Sequence, residues 1–228
     1  TSFFGNIVSF DESPINEKLL MVGTDDGLIQ ITEDGGENWK KISKIKGIPE
    51  MTYVSCLFAS QHDEKVIYAA FDGRKNNDLK PYIMKSLDKG ASWFEITSNL
   101  PDKGTVYSIV EDPVEPQLLF AGTEFGFYFS VNGGGKWIKL SHGLPTIAVR
   151  DIKIQKNEDD LVIATFGRGF YVLDDFSLLR TISDKKLKED HILFPIKDAW
   201  LYSQTSKKYG QGSTVHTGAN PPFGAVIS

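Results

Sequence analysis

An all-β fold built from repeated four-stranded units is predicted by three features of the 228-residue sequence. A motif recurs, the same order of short β-rich runs surrounds each copy, and no segment of useful length has helical periodicity. The motif, called the box below, reads S/T-x-D/N-x-G-x-x-W. It matches Thr32, Asp34, Gly36 and Trp39, then Ser86, Asp88, Gly90 and Trp93, then Ser130, Asn132, Gly134 and Trp137. The tryptophans stand about 54 and about 44 residues apart, and the excess sits in one polar insertion, GRKNNDLKPY, Gly73 to Tyr82. The underlying period of roughly 44 is that of propeller blades.

Each repeat carries four runs in the same order. An alternating run comes first (NIVSF, YVSCLFA, VYSIVED, VRDIKIQ), followed by a β-rich run ending in small residues (LLMVGTD, VIYAAFD, LLFAGTE, LVIATFG). A third run follows (LIQITED, YIMKSLD, FYFSVNG, FYVLDD), and the tryptophan run closes the unit (NWKKIS, SWFEIT, KWIKLS). Turn residues separate the runs, so each repeat reads as a four-stranded antiparallel blade. Four blades are expected, at about 5–43, 52–101, 105–145 and 147–202. The fourth replaces the box with DDFSLLR, and its last strand is either LLRTIS or the later HILFPIKDAWLY.

Every box position has a structural task. The carboxylate or amide at the third position accepts backbone N–H groups across a tight turn. The glycine permits positive φ, and the tryptophan is expected to bury itself between sheets. Asn132 in the third copy fits this assignment, because an amide oxygen still accepts those bonds whereas a general acid or calcium ligand would be weakened.

Composition narrows the function. A net charge of -5 and short, acid-diluted lysine clusters argue against a nucleic-acid partner. No apolar run is long enough for a membrane helix. The single cysteine, Cys56, lies in the strand-like run YVSCLFA and reads as a core thiol. Four scattered histidines, His62, His142, His191 and His216, lack ligand spacing, so neither a metal site nor a cofactor is expected.

At the boxes the chain resembles the Asp-box, or bacterial neuraminidase repeat, proteins, a group that includes sialidases, xyloglucanases, sortilin-type receptors and photosystem assembly factors, all β-propellers. The segments FDGRKNNDLKPYIMKSLDKGASW, EDPVEPQLLFAGTEFGFYFSVNGGGKW and ATFGRGFYVLDD narrow this to the sortilin-like and glycosyl-hydrolase-like repeat proteins secreted by bacteria. The resemblance implies a secreted, periplasmic or cell-surface setting. In that group a histidine usually precedes Gly-Arg-Gly, where this chain has Phe166. The tail ANPPFGAVIS resembles the group's junction into an immunoglobulin-like domain.

Residues 203–228 have the composition of a linker followed by the start of a strand, and the chain begins without methionine or signal peptide, so flanking segments are expected. Four blades of a larger ring would leave two blade faces open. The faces then close into a small ring, pair with a second copy as a homodimer, or meet flanking structure; an incomplete ring is the favoured expectation.

The rim opposite the boxes carries the connections between second and third strands, where loops bind ligands. Its candidates are Asp25, Asp72, Arg74, Tyr82, Glu124 and Arg168, with pairing of Arg168 to Asp174 or Asp175 as the structural alternative. A sialidase needs three clustered arginines, whereas only Arg74, Arg150, Arg168 and Arg180 exist and Arg180 lies outside the blade pattern. An inverting glycosidase needs two carboxylates flanking the bond with room for water. Asp25, Asp72 and Glu124 supply carboxylates, but no spacing singles out a pair. The reading is therefore a non-catalytic propeller segment that recognises a protein, peptide or glycan, or acts as a scaffold, with part of a glycoside hydrolase as the alternative.

Overall fold

The computed structural model describes residues 5–183 together with Lys186, Glu189, His191 and Phe194. Residues 1–183 form one compact unit, and Asp184–Ser228 form a second. The C-terminal linker, the strand HILFPIKDAWLY and the immunoglobulin-like junction fall largely outside the described residues.

The first blade comprises β1 (Ile7–Glu12), β2 (Leu20–Thr24), β3 (Ile29–Thr32) and β4 (Lys40–Ile42). The second has β5 (Tyr53–Ala59), β6 (Ile67–Asp72), β7 (Tyr82–Ser86) and β8 (Phe94–Glu95), and the third β9 (Val106–Glu111), β10 (Leu119–Thr123), β11 (Gly126–Ser130) and β12 (Ile138–Leu140). Each is a four-stranded antiparallel meander whose sheet order follows the chain. The fourth blade holds β13 (Val149–Gln155), β14 (Asp160–Thr165) and β15 (Phe170–Leu173), three strands among the described residues.

LLRTIS does not supply the fourth strand of that blade. Phe176–Thr181 form a 3-10 turn, started by Asp175, whose carboxylate accepts the Ser177 N–H. The buried Phe176 ring meets Phe120 edge-on at 5.2 Å, so the turn is seated in the third interblade core by an aromatic that precedes LLRTIS. Arg180, on the same turn, forms a double fork with Asp112 and Asp159 at 2.7 to 3.1 Å. It therefore bolts the end of β9 to the fourth blade.

Three apolar cores lie between successive blades. Alternation along the strands sends Met21, Ile29 and Ile31 of the first blade toward Val54, Leu57 and Ala69 of the second. Gly23 permits the approach, because a Cβ there would stand 2.4 Å from Val54. Inner strands are also tied by polar bonds: Ser9 Oγ accepts the Leu57 N–H at 2.7 Å, and Ser55 Oγ donates to the Val106 carbonyl at 2.7 Å. Between the second and third blades, buried Glu111 accepts from Ser60 Oγ at 2.7 Å and from the Tyr68 hydroxyl at 2.9 Å. Cys56 packs against this core, and burial pushes its thiol up to about 11, which makes it a poor nucleophile.

All three boxes adopt one hydrogen-bonded turn. Asp34, Asp88 and Asn132 use Oδ1 to accept the N–H of Asn38, Ser92 and Lys136 at 2.7 to 2.9 Å, while Thr32, Ser86 and Ser130 hydroxyls accept the N–H of the box glycine. The tryptophans, expected to be equally buried, are not. Trp137 is 3% exposed with its indole N–H on the Ile96 carbonyl of the preceding blade, Trp93 is half-buried against the first blade, and Trp39 is 40% exposed. The box glycines repeat the pattern. A Cβ at Gly90 would strike Ile31 and one at Gly134 would strike Ile96, whereas one at Gly36 would meet only its own Trp39. Each box packs on the blade before it, and among the described residues nothing stands before the first. Phe10 on that side and Phe170 and Val172 on the outer side of the fourth blade are 55 to 75% exposed.

The box carboxylates are tuned by these bonds. Hydrogen bonds from the Ser92 hydroxyl, the Ser92 N–H and Ser86 hold Asp88 down to about 2, against about 3.9 for a free aspartate. Asp34 is lowered for the same reason, led by the Asn38 N–H. A depressed carboxylate stabilises the fold above the unfolded value, and the contribution is lost as pH falls through the folded one, here from about pH 4 to about pH 2. Asp88→Asn is therefore expected to flatten the decline of melting temperature over that window by about one proton's worth of slope, with little change at pH 7. Parallel acid limbs in wild type and variant would refute this assignment.

Candidate functional site

The four inner strands β1, β5, β9 and β13 share a β-bulge near their starts. Register slips there leave Val8, Ser55, Tyr107 and Arg150 without direct partners in β2, β6, β10 and β14. A bulge re-aims its side chain and strengthens local twist. Ser55, Tyr107 and Arg150 line a cleft of about 600 Å³ with Tyr53, Asp72, Arg74 and Lys75. The residue just before the bulge in β5, β9 and β13, Val54, Val106 or Val149, is completely buried and anchors the strand, whereas its counterpart in β1, Ile7, is 64% exposed on the first blade.

The turn after each second strand supplies the next ring of groups. Asp25, Asp72, Glu124 and Phe166 occupy matching positions, and the backbone N–H groups of Asp25, Glu124 and Phe166 reach the carbonyls of Asn6, Thr105 and Ala148 at the bulge ends. Asp72 receives Arg74 side-on, Nε to Oδ1 at 3.0 Å and Nη2 to Oδ2 at 2.7 Å, plus the Arg74 N–H at 2.9 Å. The short 3-10 turn Arg74–Asn76 of the insertion makes this possible by folding the guanidinium back onto its own strand end. Arg74 also reaches Glu124 at 3.4 Å, and the Tyr107 hydroxyl donates to the same Glu124 oxygen. Both guanidiniums, Arg74 at 4.9 Å and Arg150 at 3.9 Å, lie over the Tyr107 ring, and Lys75 lies 5.1 Å over Tyr53.

Other residues expected at this rim do different work. Asp25 is buried and accepts the backbone N–H groups of Gly5 and Asn6 at 2.8 and 3.0 Å and the Asn6 side-chain amide at 3.1 Å. Burial opposes its charge, but the Asn6 and Gly5 hydrogen bonds prevail and hold its carboxyl below the usual range. It pins the chain ahead of β1. The Tyr82 hydroxyl donates to Asp78 at 2.6 Å, closing the insertion on itself and leaving the cleft. Arg168 is exposed on the turn before β15 and makes neither a cleft contact nor an ion pair with Asp174 or Asp175.

Arg150 stands in the cleft where Arg168 was expected. Its Nε is buried without a hydrogen-bond partner, and no carboxylate pairs with it among the described residues. Its neighbours are the rings of Tyr107 and Phe166, at 3.9 and 5.3 Å. The sequence held one signal for it: aligned as IVSF, VSCL, VYSI and VRDI, the inner runs keep the valine-like anchor and vary at the next position. Among the described residues no group of three or more His, Cys, Asp and Glu side chains could hold a metal, and no helix is long and apolar enough to cross a membrane.

No protein-family model matches the chain, and no curated protein matches it. Solved structures do. The chain is similar to an ancestral GH74 enzyme at TM-score 0.58 and 20% identity, covering 72% of this chain and 22% of that one. It is similar to YCF48 bound to D1 peptide at 0.55 and 14%, covering 75% and 51%. It is also similar to the β-propeller domain of Cps50 (Swd1) from Myceliophteria thermophila at 0.55 and 13%, covering 83% and 57%. The chain thus spans between about a fifth and three fifths of these proteins. At such identities the likeness is one of fold, and with the blade geometry it makes the chain a β-propeller.

Proposed function

We propose that the chain is a four-blade arc of a larger propeller whose axial cleft recognises a protein, peptide or glycan without transforming it. The arc is supported by the exposed Trp39, Phe10, Phe170 and Val172 on its two end faces. Recognition is supported chiefly by the state of the cleft's carboxylates. Asp72 has both oxygens engaged by the Arg74 fork, and Glu124 is engaged through Oε2 by Tyr107 and Arg74, an arrangement that suits holding the arginine in place better than protonating a leaving group or activating water. The resemblance at the boxes supports a secreted, periplasmic or cell-surface bacterial setting, which fractionation of the source cells checks.

The likeness to a GH74 enzyme supports a second reading, in which the arc belongs to a glycoside hydrolase whose remaining blades complete the active site. The two readings separate in a reducing-sugar assay of the longest available form of the protein on xyloglucan, cellulose and mixed-linkage glucan. The expected result is no turnover above buffer, and none lost on Asp72→Asn or Glu124→Gln. Hydrolysis abolished by either substitution would establish the enzyme reading.

A further inference from the structure

The fourth blade departs from the other three at both positions that build the cleft. At the bulge it carries Arg150, and at the turn position where the others present Asp25, Asp72 and Glu124 it carries Phe166. Arg74 finds two carboxylates, whereas Arg150 finds an aromatic ring on its own blade and another on the third. A guanidinium flanked by rings, with its Nε shut off from solvent and unpaired, is a fork held ready for an acceptor that the chain does not provide.

Resting on the recognition reading above, we propose that Arg150 is the seat of a ligand carboxylate, presented by an acidic peptide that enters the cleft. Charge selects the anion. The lining side chains include three cations, Arg74, Lys75 and Arg150; Arg74 is paired with Asp72 and with Glu124 at the edge, and Arg150 has no carboxylate partner among the described residues. Asp25 acts on Lys75 from outside the lining, its own oxygens taken by Gly5 and Asn6. One uncompensated guanidinium suits a monoanionic carboxylate better than a phosphate, which carries about two charges. The chain as a whole has a net charge of -5, so attraction of an acidic ligand is local to this cleft.

The aromatics favour a peptide over an acidic glycan. Sugar rings bind by stacking on open aromatic faces, but the Tyr107 ring lies under both guanidiniums and the Tyr53 ring under Lys75. The lining then offers cationic donors rather than bare platforms, and a cleft of about 600 Å³ takes a few residues of extended chain.

Titration calorimetry on the full 228-residue chain tests this with four probes: acetyl-Gly-Asp-Glu-Gly amide, its acetyl-Gly-Asn-Gln-Gly counterpart, trigalacturonic acid and inorganic phosphate. The acidic peptide is expected to bind saturably, at least about tenfold more tightly than the amide peptide, and more weakly as salt rises. Arg150→Gln should weaken it about tenfold or more while the melting temperature holds or rises, since a guanidinium without a counter-charge, its Nε buried and unbonded, is removed. Arg150→Lys should recover part of the loss, and Lys75→Gln should weaken binding several-fold and serves as the informative variant if Arg150→Gln does not fold. Absence of saturable peptide binding, equal binding of the amide peptide, tighter binding of trigalacturonate or phosphate, or unchanged affinity in the variants would overturn the proposal. Failure here with no glycan hydrolysis leaves recognition standing, whereas hydrolysis removes the recognition reading whatever the peptide does.

Discussion

Arg180→Ala is expected to lower the unfolding free energy by about 3 to 5 kcal/mol, the range for removing one partner of a buried ion pair. Asp112 is the reason. Its side chain is fully buried, and the two N–H groups of the Arg180 fork meet its oxygens at 2.7 and 2.8 Å. Without the fork, Asp112 keeps only the backbone N–H groups of Val114 and Glu115 and carries its charge in a low-dielectric site. Asp159, about a quarter exposed, loses less because water can reach it. The fork in turn holds Arg180 protonated by raising its pKa, led by Asp112, so the network is insensitive to pH on the guanidinium side. In a domain of this size the loss corresponds to a drop in melting temperature of about 6 to 20 °C. Arg180→Lys, which keeps the charge but not the fork, should fall between wild type and alanine. A shift under 2 °C for the alanine variant would show that the 3-10 turn does not secure the fourth blade.

Trp137→Ala should cost a similar amount, about 3 to 5 kcal/mol, whereas the equivalent change at Trp39 should be nearly silent in the isolated chain. The two residues hold the same position in the same hydrogen-bonded turn, but Trp137 is 3% exposed and reaches the Ile96 carbonyl, while Trp39 is 40% exposed and its indole N–H stays within its own box on Gly36. Truncating the first opens a cavity in the core between second and third blades, and truncating the second opens nothing. Trp93 belongs in between, because the first blade covers it in part. The contrast also reports on what covers the end faces. If a second copy of the chain seats on the first blade, light scattering gives a dimer that Trp39→Ala dissociates; a monomer that Trp39→Ala leaves unchanged rules out the homodimer.

Much of the fold was legible because a blade is a local object. The box returns three times with its glycine and tryptophan in place, and short meander strands pair with their sequence neighbours, so hydrogen bonding between them needs no distant information. Local reading did not decide between LLRTIS and the later HILFPIKDAWLY as the last strand of the fourth blade: LLRTIS falls in the turn that Asp175 starts and that Phe176 seats in the core, and most of the later segment lies outside the described residues. Asp72, Arg74 and Glu124 were identifiable as rim residues, and their clustering around Tyr107 follows from two blades standing side by side.

Arg150 shows where local reading stops. In the sequence it is an arginine at the start of an alternating run, set apart from a solvated strand residue only by its place after the anchor in the aligned inner runs. Its role depends on the bulge that turns it inward, on Phe166 taking the place of an acid, and on Tyr107 of the neighbouring blade receiving its guanidinium. Arg168, flanked by glycines on a rim turn, looked the better candidate and faces solvent. By itself the sequence determined the order of the four repeats and the four-stranded meander of the first three, because those rest on turn chemistry and on period-two and period-44 patterns that repeat within short stretches of about one blade. Only the tertiary structure decided which tryptophan carries stability, which arginine locks the blades and which is left without a counter-charge. Burial and pairing of a side chain depend on what the neighbouring blade sets against it, and that is not written in its own blade.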